Sequence, residues 1–217
     1  VSIKFRTIKS AAGQARVVIR PPIEHMQQFW LRGKFFEQEE LESIYWRYRG
    51  GIFVDVGSSI GNHTLFFAKF CQVERVISIE PVLYSVGHQI ENLRLNNLYN
   101  VSVLNVAAGS SHGACSMERF GPNLGQFCVA SGNNVSTMPL DSLLKGIEQI
   151  TLMKIDVEKH ELKVLEGAGR TLDKHKPILY LELLGRKIYT DVTDFLKRFG
   201  YMERESWVNN YRFEAQR

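Results

Sequence analysis

The stretch Ile52-Phe53-Val54-Asp55-Val56-Gly57-Ser58-Ser59-Ile60-Gly61-Asn62-His63-Thr64 decides the fold. Its first five residues are mostly apolar and rich in β-branched side chains. They read as a strand covered on both faces, where a continuous apolar run replaces alternation. Gly57 follows as a tight turn, since a residue without Cβ lets the backbone reverse and pass close to a ligand. Gly61 lets the helix that opens there sit close to the sheet. A strand–turn–helix unit of this kind brings backbone N–H groups to the carboxyl edge of a parallel sheet, where nucleotide-like ligands bind.

Asp55 narrows the choice of ligand. A carboxylate just before the turn suits a ligand end that is cationic or rich in N–H donors, and it disfavours a pyrophosphate. A dinucleotide fingerprint needs G-x-G-x-x-G at an electropositive helix start. Here the spacing is D-x-G-x-x-x-G, with Ser59 at the second glycine position. The plain alternative is a strand-to-helix turn with two packing glycines. A second short strand, Val76–Ile79, ends at Glu80-Pro81. An acid about 20 residues beyond the glycine turn can accept hydrogen bonds from both hydroxyls of a ribose. Pro81 has no N–H to give to a ladder, so the strand stops there.

Outward from this core, strands and helices alternate. Strands are expected at Ile52–Val56, Val76–Ile79, Val101–Val106, Thr151–Ile155 and Ile178–Leu183. Helices are expected near Gly61–Cys71, Leu83–Asn97, Leu162–Leu172 and Val192–Phe199, with two further strands near Tyr201–Glu205 and Tyr211–Phe213. This order requires a parallel sheet with helices on both faces. Gly113–Thr137 departs from it and reads as a small hairpin insertion at the active-site edge. The first 22 residues carry Lys4, Arg6, Lys9, Arg16 and Arg20 and no acid. They suggest a hairpin turning at Ala11–Gln14, with a solvated basic face or a cover over an anionic acceptor. Glu37 to Tyr48 reads as an amphipathic helix with Leu41, Ile44, Tyr45 and Tyr48 on one face. The expected division is a hairpin-and-helix cap over 1–50 and the sheet domain over 51–217, folded as one unit.

Composition excludes several classes. The 217 residues suffice for one domain with a full core. The net charge of +4 is too small to argue for nucleic acid or a membrane surface, and no nucleic-acid partner is expected. No apolar run is long enough to span a bilayer, and no leader is read at the start, although the chain opens at Val1 rather than Met. Cys71, Cys115 and Cys128 show no metal-ligand spacing, so reduced thiols and a cytoplasmic location are expected. The sequon at Asn62 falls inside the ligand turn, so it and those at Asn100 and Asn134 are read as chance. Nothing fixes the oligomeric state.

A third segment holds the chemistry: Lys154-Ile155-Asp156-Val157-Glu158-Lys159-His160-Glu161. If the strand persists, its period puts Lys154, Asp156 and Glu158 on one side. Carboxylates crowded at a strand end repel, which raises the proton affinity of at least one and suits a general base. Glu161 fits equally well as an acid at a helix N-terminus. Asn105-Val106-Ala107-Ala108-Gly109, after the third strand, offers small residues for a flat ring, with Ala107 in backbone contact and Asn105 as a polar contact.

D-V-G-x-x-I-G-x-x-T, E-P, K-I-D-V-E-x-x-E-L-x-V-L-x-G-A and P-x-x-x-x-E follow in this order from about Gly51 to Leu184. Together they resemble the FkbM family of S-adenosylmethionine-dependent methyltransferases. The resemblance implies an α/β doubly wound, Rossmann-like fold with a seven-stranded, mostly parallel sheet and helices on both faces. It also implies O-methylation, often of sugar hydroxyls. By position, Asp55, Gly57 and Gly61 fall on the methionine-end and glycine-turn residues, Glu80 on the ribose-binding acid, Asp156 and Glu158 on the acidic cluster near the methyl group, and Glu182 on the acid ending strand five. Ser58-Ser59 stands where Ala-Asn is usual, and Lys159-His160 where a Gly follows the acid.

The expected cofactor-binding set is Asp55, Gly57, Ser58, Ser59, Gly61, Asn62, Thr64, Glu80, Pro81, Asn105, Ala107 and Asp156, and no metal is called. The catalytic candidates are Asp156, Glu158, Glu182 and His160, although a lone His at a helix start is often structural. S-adenosylmethionine is the expected cofactor and S-adenosylhomocysteine the product, with a small-molecule or glycan hydroxyl as acceptor. Placing that hydroxyl in line with the C–S bond is worth ~7–11 kcal/mol of barrier lowering, and a base that takes its proton adds to this. Two other classes stay open. One is an NAD-dependent oxidoreductase, which the missing glycine and Asp55 oppose. The other is a catalytically silent module that keeps the fold.

Overall fold

The computed structural model describes residues 3–119 and 127–216. In chain order the cap holds β1 (Lys4–Ser10), β2 (Gly13–Ile19), α1 (His25–Leu31) and α2 (Gln38–Arg47). The sheet region follows with β3 (Ile52–Val56), α3 (Asn62–Phe70), β4 (Arg75–Ile79), α4 (Leu83–Leu95) and β5 (Val101–Leu104). An inserted region contains β6 (Ala107–Ala108), β7 (Gly113–Arg119), β8 (Phe127–Met138) and the single turn α5 (Leu140–Leu143). The chain closes with β9 (Leu152–Ile155), α6 (Glu161–Glu166), α7 (Gly169–His175), β10 (Ile178–Glu182), α8 (Arg186–Lys197), β11 (Tyr201–Ser206) and β12 (Asn210–Ala215).

Seven strands form the main sheet in the order β11-β12-β10-β9-β3-β4-β5. β12 alone runs antiparallel to its neighbours, and the other pairings are parallel. The sheet grows in one direction through β3, β4 and β5 and in the other through β9 and β10, so the switch point lies between β3 and β9. Crevices that bind ligands open at such a point, beyond the carboxyl ends of the strands.

Strand alternation divides the core. Val54, Val56, Met153, Ile155, Leu179 and Leu181 pack with Val164, Leu165, Leu172, Val192 and Leu196 of α6, α7 and α8. Phe53, Leu152 and Tyr180 face the other way and pack with Leu65, Phe66 and Phe67 of α3 and with Trp30, Phe35, Leu41 and Ile44 of the cap. Asp55 and Lys154 are paired in register and share the parity of Phe53 and Leu152. The sheet therefore carries these two charged side chains on its cap-covered face.

Several boundaries differ from the sequence expectation. The segment between β2 and α2 contains α1, which no periodicity announced. The helix expected over Leu162–Leu172 is two helices. They part at Gly167, where a Cβ would stand 2.0 Å from the Gly109 carbonyl oxygen. α8 begins at Arg186, six residues before Val192, and its first turns already send Ile188 and Tyr189 against the core between exposed Arg186, Lys187 and Thr190. β5 ends at Leu104, two residues early. The Asn105 side chain then turns to the β4–α4 connection, and Ala107–Ala108 pairs with β8 in a separate three-stranded sheet, β6-β8-β7. The insertion expected at Gly113–Thr137 forms β7 and β8 of that small sheet, apart from residues 120–126, which lie outside the described residues. In the N-terminal hairpin, Ile3 and Phe5 are exposed while Ile8, Ala15, Val17 and Ile19 supply the core face.

Candidate active site

The turn after β3 is fixed from two sides. Gly57 N–H and Ser58 N–H both donate to the Ile79 carbonyl, at 2.9 and 3.3 Å. Gly57 has φ +79°, and a Cβ there would come within 1.8 Å of the Asp156 carbonyl oxygen. The neighbouring strand end thus requires a glycine here, and Gly57 also lines the crevice. Gly61, at φ +88°, lies where a Cβ would strike Gln89 Cγ of α4 at 2.5 Å, so it admits a side chain of α4 rather than the sheet. Ser59 takes φ +48°, a left-handed conformation that suits the Asn usual in the resembling family and strains a Ser. This turns the Ser59 N–H onto Glu80 Oε2 at 2.8 Å, while Val82 N–H donates to Glu80 Oε1 at the same distance.

A crevice opens over these strand ends. Gly57, Ser59, Ile79, Glu80, Pro81, Val82, Ala107 and Ala108 line one part; Asp156, Val157, Glu158, His160 and Glu182 line another. The cap adds Glu24, His25, Met26 and Phe36, and the insertion adds Met117, Phe127 and Val129. Among the described lining residues five are acids and none is a lysine or arginine.

The candidate residues fall into two groups. Gly57, Ser59, Glu80, Pro81, Ala107, Asp156, Glu158, His160 and Glu182 reach the crevice. Asp55, Ser58, Gly61, Asn62, Thr64 and Asn105 are not in its lining and hold the wall from behind. Thr64 Oγ1 donates to Asp55 Oδ2 at 2.5 Å. Ser58 Oγ accepts from Ser78 Oγ and from Gln89 Nε2, at 2.7 and 2.9 Å. Asn62 Oδ1 accepts from Trp30 Nε1 and from Phe36 N–H, and its Nδ2 donates to the Phe36 carbonyl, so this fully buried side chain ties the cap to α3. Asn105 Nδ2 donates to the carbonyls of Glu80 and Pro81, both at 2.9 Å, and so fixes the loop carrying the Glu80 carboxylate. Sequence reasoning missed Glu24, His25, Met26, Phe36, Met117, Phe127 and Val129. The cap segment carries no motif, and the insertion showed only its composition.

Burial sets the protonation of the acids. It pushes Glu80 up to about 7, against the two backbone N–H groups that favour its charged form. Glu24 is likewise raised to about 7 by burial, with the Arg119 charge opposing. Glu182 rises to about 9, first by burial and then by the negative charge and hydrogen bond of Asp156. The Lys154 ammonium lies 2.8 Å from Asp156 Oδ2. Although burial opposes its charge, the surrounding carboxylates of Asp156, Glu37, Glu40 and Asp55 hold Lys154 protonated well above its ordinary range. At neutral pH the strand ends therefore carry a charged Lys154 and a protonated Glu182 on either side of Asp156. His160, at the start of α6, is lowered by burial and by Lys163, so its imidazole is neutral. The strand ends at Ile155, so Glu158 is not placed by strand period. Glu158 and Lys159 sit in a left-handed bend at φ +52° and +74°. Glu161 is fully buried, and its Oε1 accepts from the N–H groups of Val157 and Lys159, which resolves the open reading of that acid toward loop support.

A doubly wound sheet with an acid-flanked crevice at its switch point is the architecture of the Rossmann-like methyltransferases. The Methyltransferase FkbM domain family matches residues 55–213, and the chain belongs to this family of S-adenosylmethionine-dependent methyltransferases. Among solved structures, the methyltransferase FkbM of Methylobacillus flagellatus KT is similar with a TM-score of 0.59 and 21% identity, covering 78% of this chain and 45% of that one. The chain thus spans less than half the length of that relative. An rRNA methylase from Streptococcus thermophilus matches with a TM-score of 0.52 and 13% identity, over 83% of this chain and 96% of its own. A Streptococcus mutans protein in complex with S-adenosylhomocysteine matches with a TM-score of 0.51 and 12% identity, over 82% of this chain and 80% of its own. A search of curated proteins finds no match.

The residues present fit this cofactor. Ser59 Oγ and Glu24 Oε2 are buried without hydrogen-bond partners on the crevice wall. Glu80 faces the crevice with a carboxylate already held at both oxygens, which fixes its orientation toward a diol. Ala107 and Ala108 leave room for a flat base. The absence of Lys and Arg from the described lining suits a ligand without phosphate.

Proposed function

We propose that this chain transfers a methyl group from S-adenosylmethionine to a hydroxyl oxygen, with a sugar or glycan-type small molecule as acceptor. The observation that carries this reading is the Asp156–Glu182 pair at the carboxyl ends of β9 and β10, backed by Lys154 and facing the crevice. Glu80 and Ser59 would hold the ribose, Ala107 the base, and Gly57 with the strand ends the methionine portion. The bound cofactor supplies an electrophilic methyl carbon on a cationic sulfur. The chain's own residues then do three things. The crevice walls from the cap and the insertion exclude water and orient the acceptor. The carboxylates favour a polar, uncharged or cationic acceptor and repel polyanions, which disfavours nucleic acid despite the rRNA methylase among the similar folds. Glu182 keeps its own proton in its hydrogen bond to Asp156, and Asp156 is the oxygen placed to take the proton released by the acceptor hydroxyl. Glu158 and His160 line the same region and complete the acceptor side.

No helix of the described residues is long and apolar enough to cross a membrane. The free thiols Cys71, Cys115 and Cys128 support a reducing, cytoplasmic setting.

The test has two parts. Calorimetric titration with S-adenosylhomocysteine should give binding that Glu80→Ala weakens at least 100-fold, while Asp156→Asn binds within a few-fold of wild type. Methyl release from labelled cofactor against a panel of glycosides, phenols and amines should occur with hydroxyl acceptors and fall at least 100-fold in Asp156→Asn. Tight binding without turnover on any acceptor would favour the silent module. Binding of NAD in place of S-adenosylhomocysteine would favour the oxidoreductase.

A further inference from the structure

Behind the crevice, on the cap-covered face of the sheet, lies a cluster that methyl transfer does not use. Glu37 is the residue before α2, Glu40 sits in its first turn, and His63 lies in the first turn of α3. One ligand atom from each lies within 4.8 Å of the other two. His63 Nε2 is 3.3 Å from Glu37 Oε2 and 3.9 Å from Glu40 Oε1. Glu40 is 3% and His63 5% exposed. Neither oxygen of Glu40 has a hydrogen-bond partner among the described residues, and Glu37 Oε2 pairs with His63 Nε2. One buried atom from each of the three side chains thus meets the other two, with both oxygens of Glu40 unsatisfied in a protein interior where such groups are ordinarily paired.

We propose that Glu37, Glu40 and His63 form a binding site for a divalent transition-metal ion, Zn²⁺ or Mn²⁺ in class, that joins the cap to the sheet domain. The donor set of one imidazole and two carboxylates suits these ions. The spacing agrees: ligand atoms about 2.0–2.2 Å from a tetrahedral metal stand roughly 3.4 Å apart, against the observed 3.3 and 3.9 Å. Glu37 is already oriented, since its other oxygen, Oε1, accepts from Asn210 Nδ2 at 2.7 Å. Charge gives an independent reason. Lys154 faces Asp55, Asp156, Glu37 and Glu40 and donates a hydrogen bond to Asp156. A buried carboxylate with neither oxygen hydrogen-bonded is costly, and a divalent ion at this point removes that cost for Glu40. Glu37 keeps 16% of its side chain exposed, which gives an ion a way in.

Chelator-treated, desalted wild-type protein is titrated with CoCl₂ and ZnCl₂, followed by calorimetry, by the visible d–d absorption of Co²⁺ and by thermal denaturation. The expected result is one equivalent bound, the absorption of a low-symmetry four- or five-coordinate cobalt site, and a higher Tm with metal. Glu40→Gln and His63→Gln should each lose at least tenfold in affinity, while His112→Gln, at an exposed position, stays within twofold. Equal binding by wild type, Glu40→Gln and His63→Gln would overturn the site, as would a wild type that shows no cobalt bands. If both variants fail to fold, the wild-type cobalt spectrum decides alone. This test is independent of methyl transfer, because it reads metal and stability without any acceptor.

Discussion

Glu80 shows how one buried carboxylate links protonation to ligand binding. Its site raises it to about 7, so a substantial fraction is protonated at neutral pH, and a protonated carboxyl loses half of its accepting fork. If the ionised form is the one that takes the ribose, affinity grows as pH rises through 7. Binding of S-adenosylhomocysteine should then be about tenfold weaker at pH 6 than at pH 8. Glu80→Gln should bind weakly and without that slope, and a flat wild-type profile over the same range would remove Glu80 from the ribose. Glu182 has the opposite consequence for the fold. Raised to about 9, it keeps its proton in the native state, whereas the unfolded chain releases it near the ordinary carboxylate range. Between those limits the native state binds more protons, so this group's contribution to stability falls as pH rises. Glu182→Gln removes the penalty. Its Tm should exceed that of wild type by several degrees at pH 8 and match it near pH 4.5, while turnover drops. An unchanged Tm at pH 8 would mean that Glu182 is not buried against Asp156 as described.

The elements legible in the sequence are those whose environment is uniform. β3, β4, β9 and β10 are covered on both faces and show as apolar runs, and the acids that end them, Glu80 and Glu182, mark the crevice edge. What escaped follows from physics that a linear pattern does not record. α1 packs Trp30 inward and leaves Leu31 exposed, too short a helix for a period to emerge. The α6–α7 break answers to Gly109, a residue nearly 60 positions away in sequence. Asp55, Ser58, Asn62, Thr64 and Asn105 sit in motif positions yet act on the wall through other residues, since spacing reveals a side chain's neighbourhood and not its direction. The insertion is the element that should govern acceptor choice, because β7 and β8 supply Met117, Phe127 and Val129 to the crevice while the edge proposed for the cofactor is lined from β3, β4 and β6. Met117→Ala should lower kcat/KM for a hydroxyl acceptor by roughly tenfold, the worth of a small apolar contact in a specificity pocket. Affinity for S-adenosylhomocysteine should stay within twofold. If calorimetry shows the reverse pattern, the insertion belongs to the cofactor side.

The cap packs into the core on one face of the sheet and lines the same crevice, so their stability and ligand binding are expected to be coupled. Trp30 is fully buried among residues of α3 and the sheet. Its Nε1 donates to Asn62 Oδ1 at 3.0 Å, in the turn that leads from Gly61 into α3. The same cap sends Glu24, His25, Met26 and Phe36 to the crevice, and Asn62 also bonds Phe36 through both backbone groups. Trp30→Ala would leave a large cavity and unpair Asn62, a change that costs about 3–5 kcal/mol and lowers Tm by roughly 6–20 °C at this chain length. Because the contacts run continuously from cap to sheet, calorimetry of wild type and variant should each show a single transition. Saturating S-adenosylhomocysteine should raise the whole transition, by about 2.7 kcal/mol at 100 times its Kd. The variant should also bind that ligand more weakly, since the cap residues of the crevice hang on the same anchor. Two separable transitions, or a destabilised variant with undiminished affinity, would show that residues 1–50 fold and act apart from the sheet.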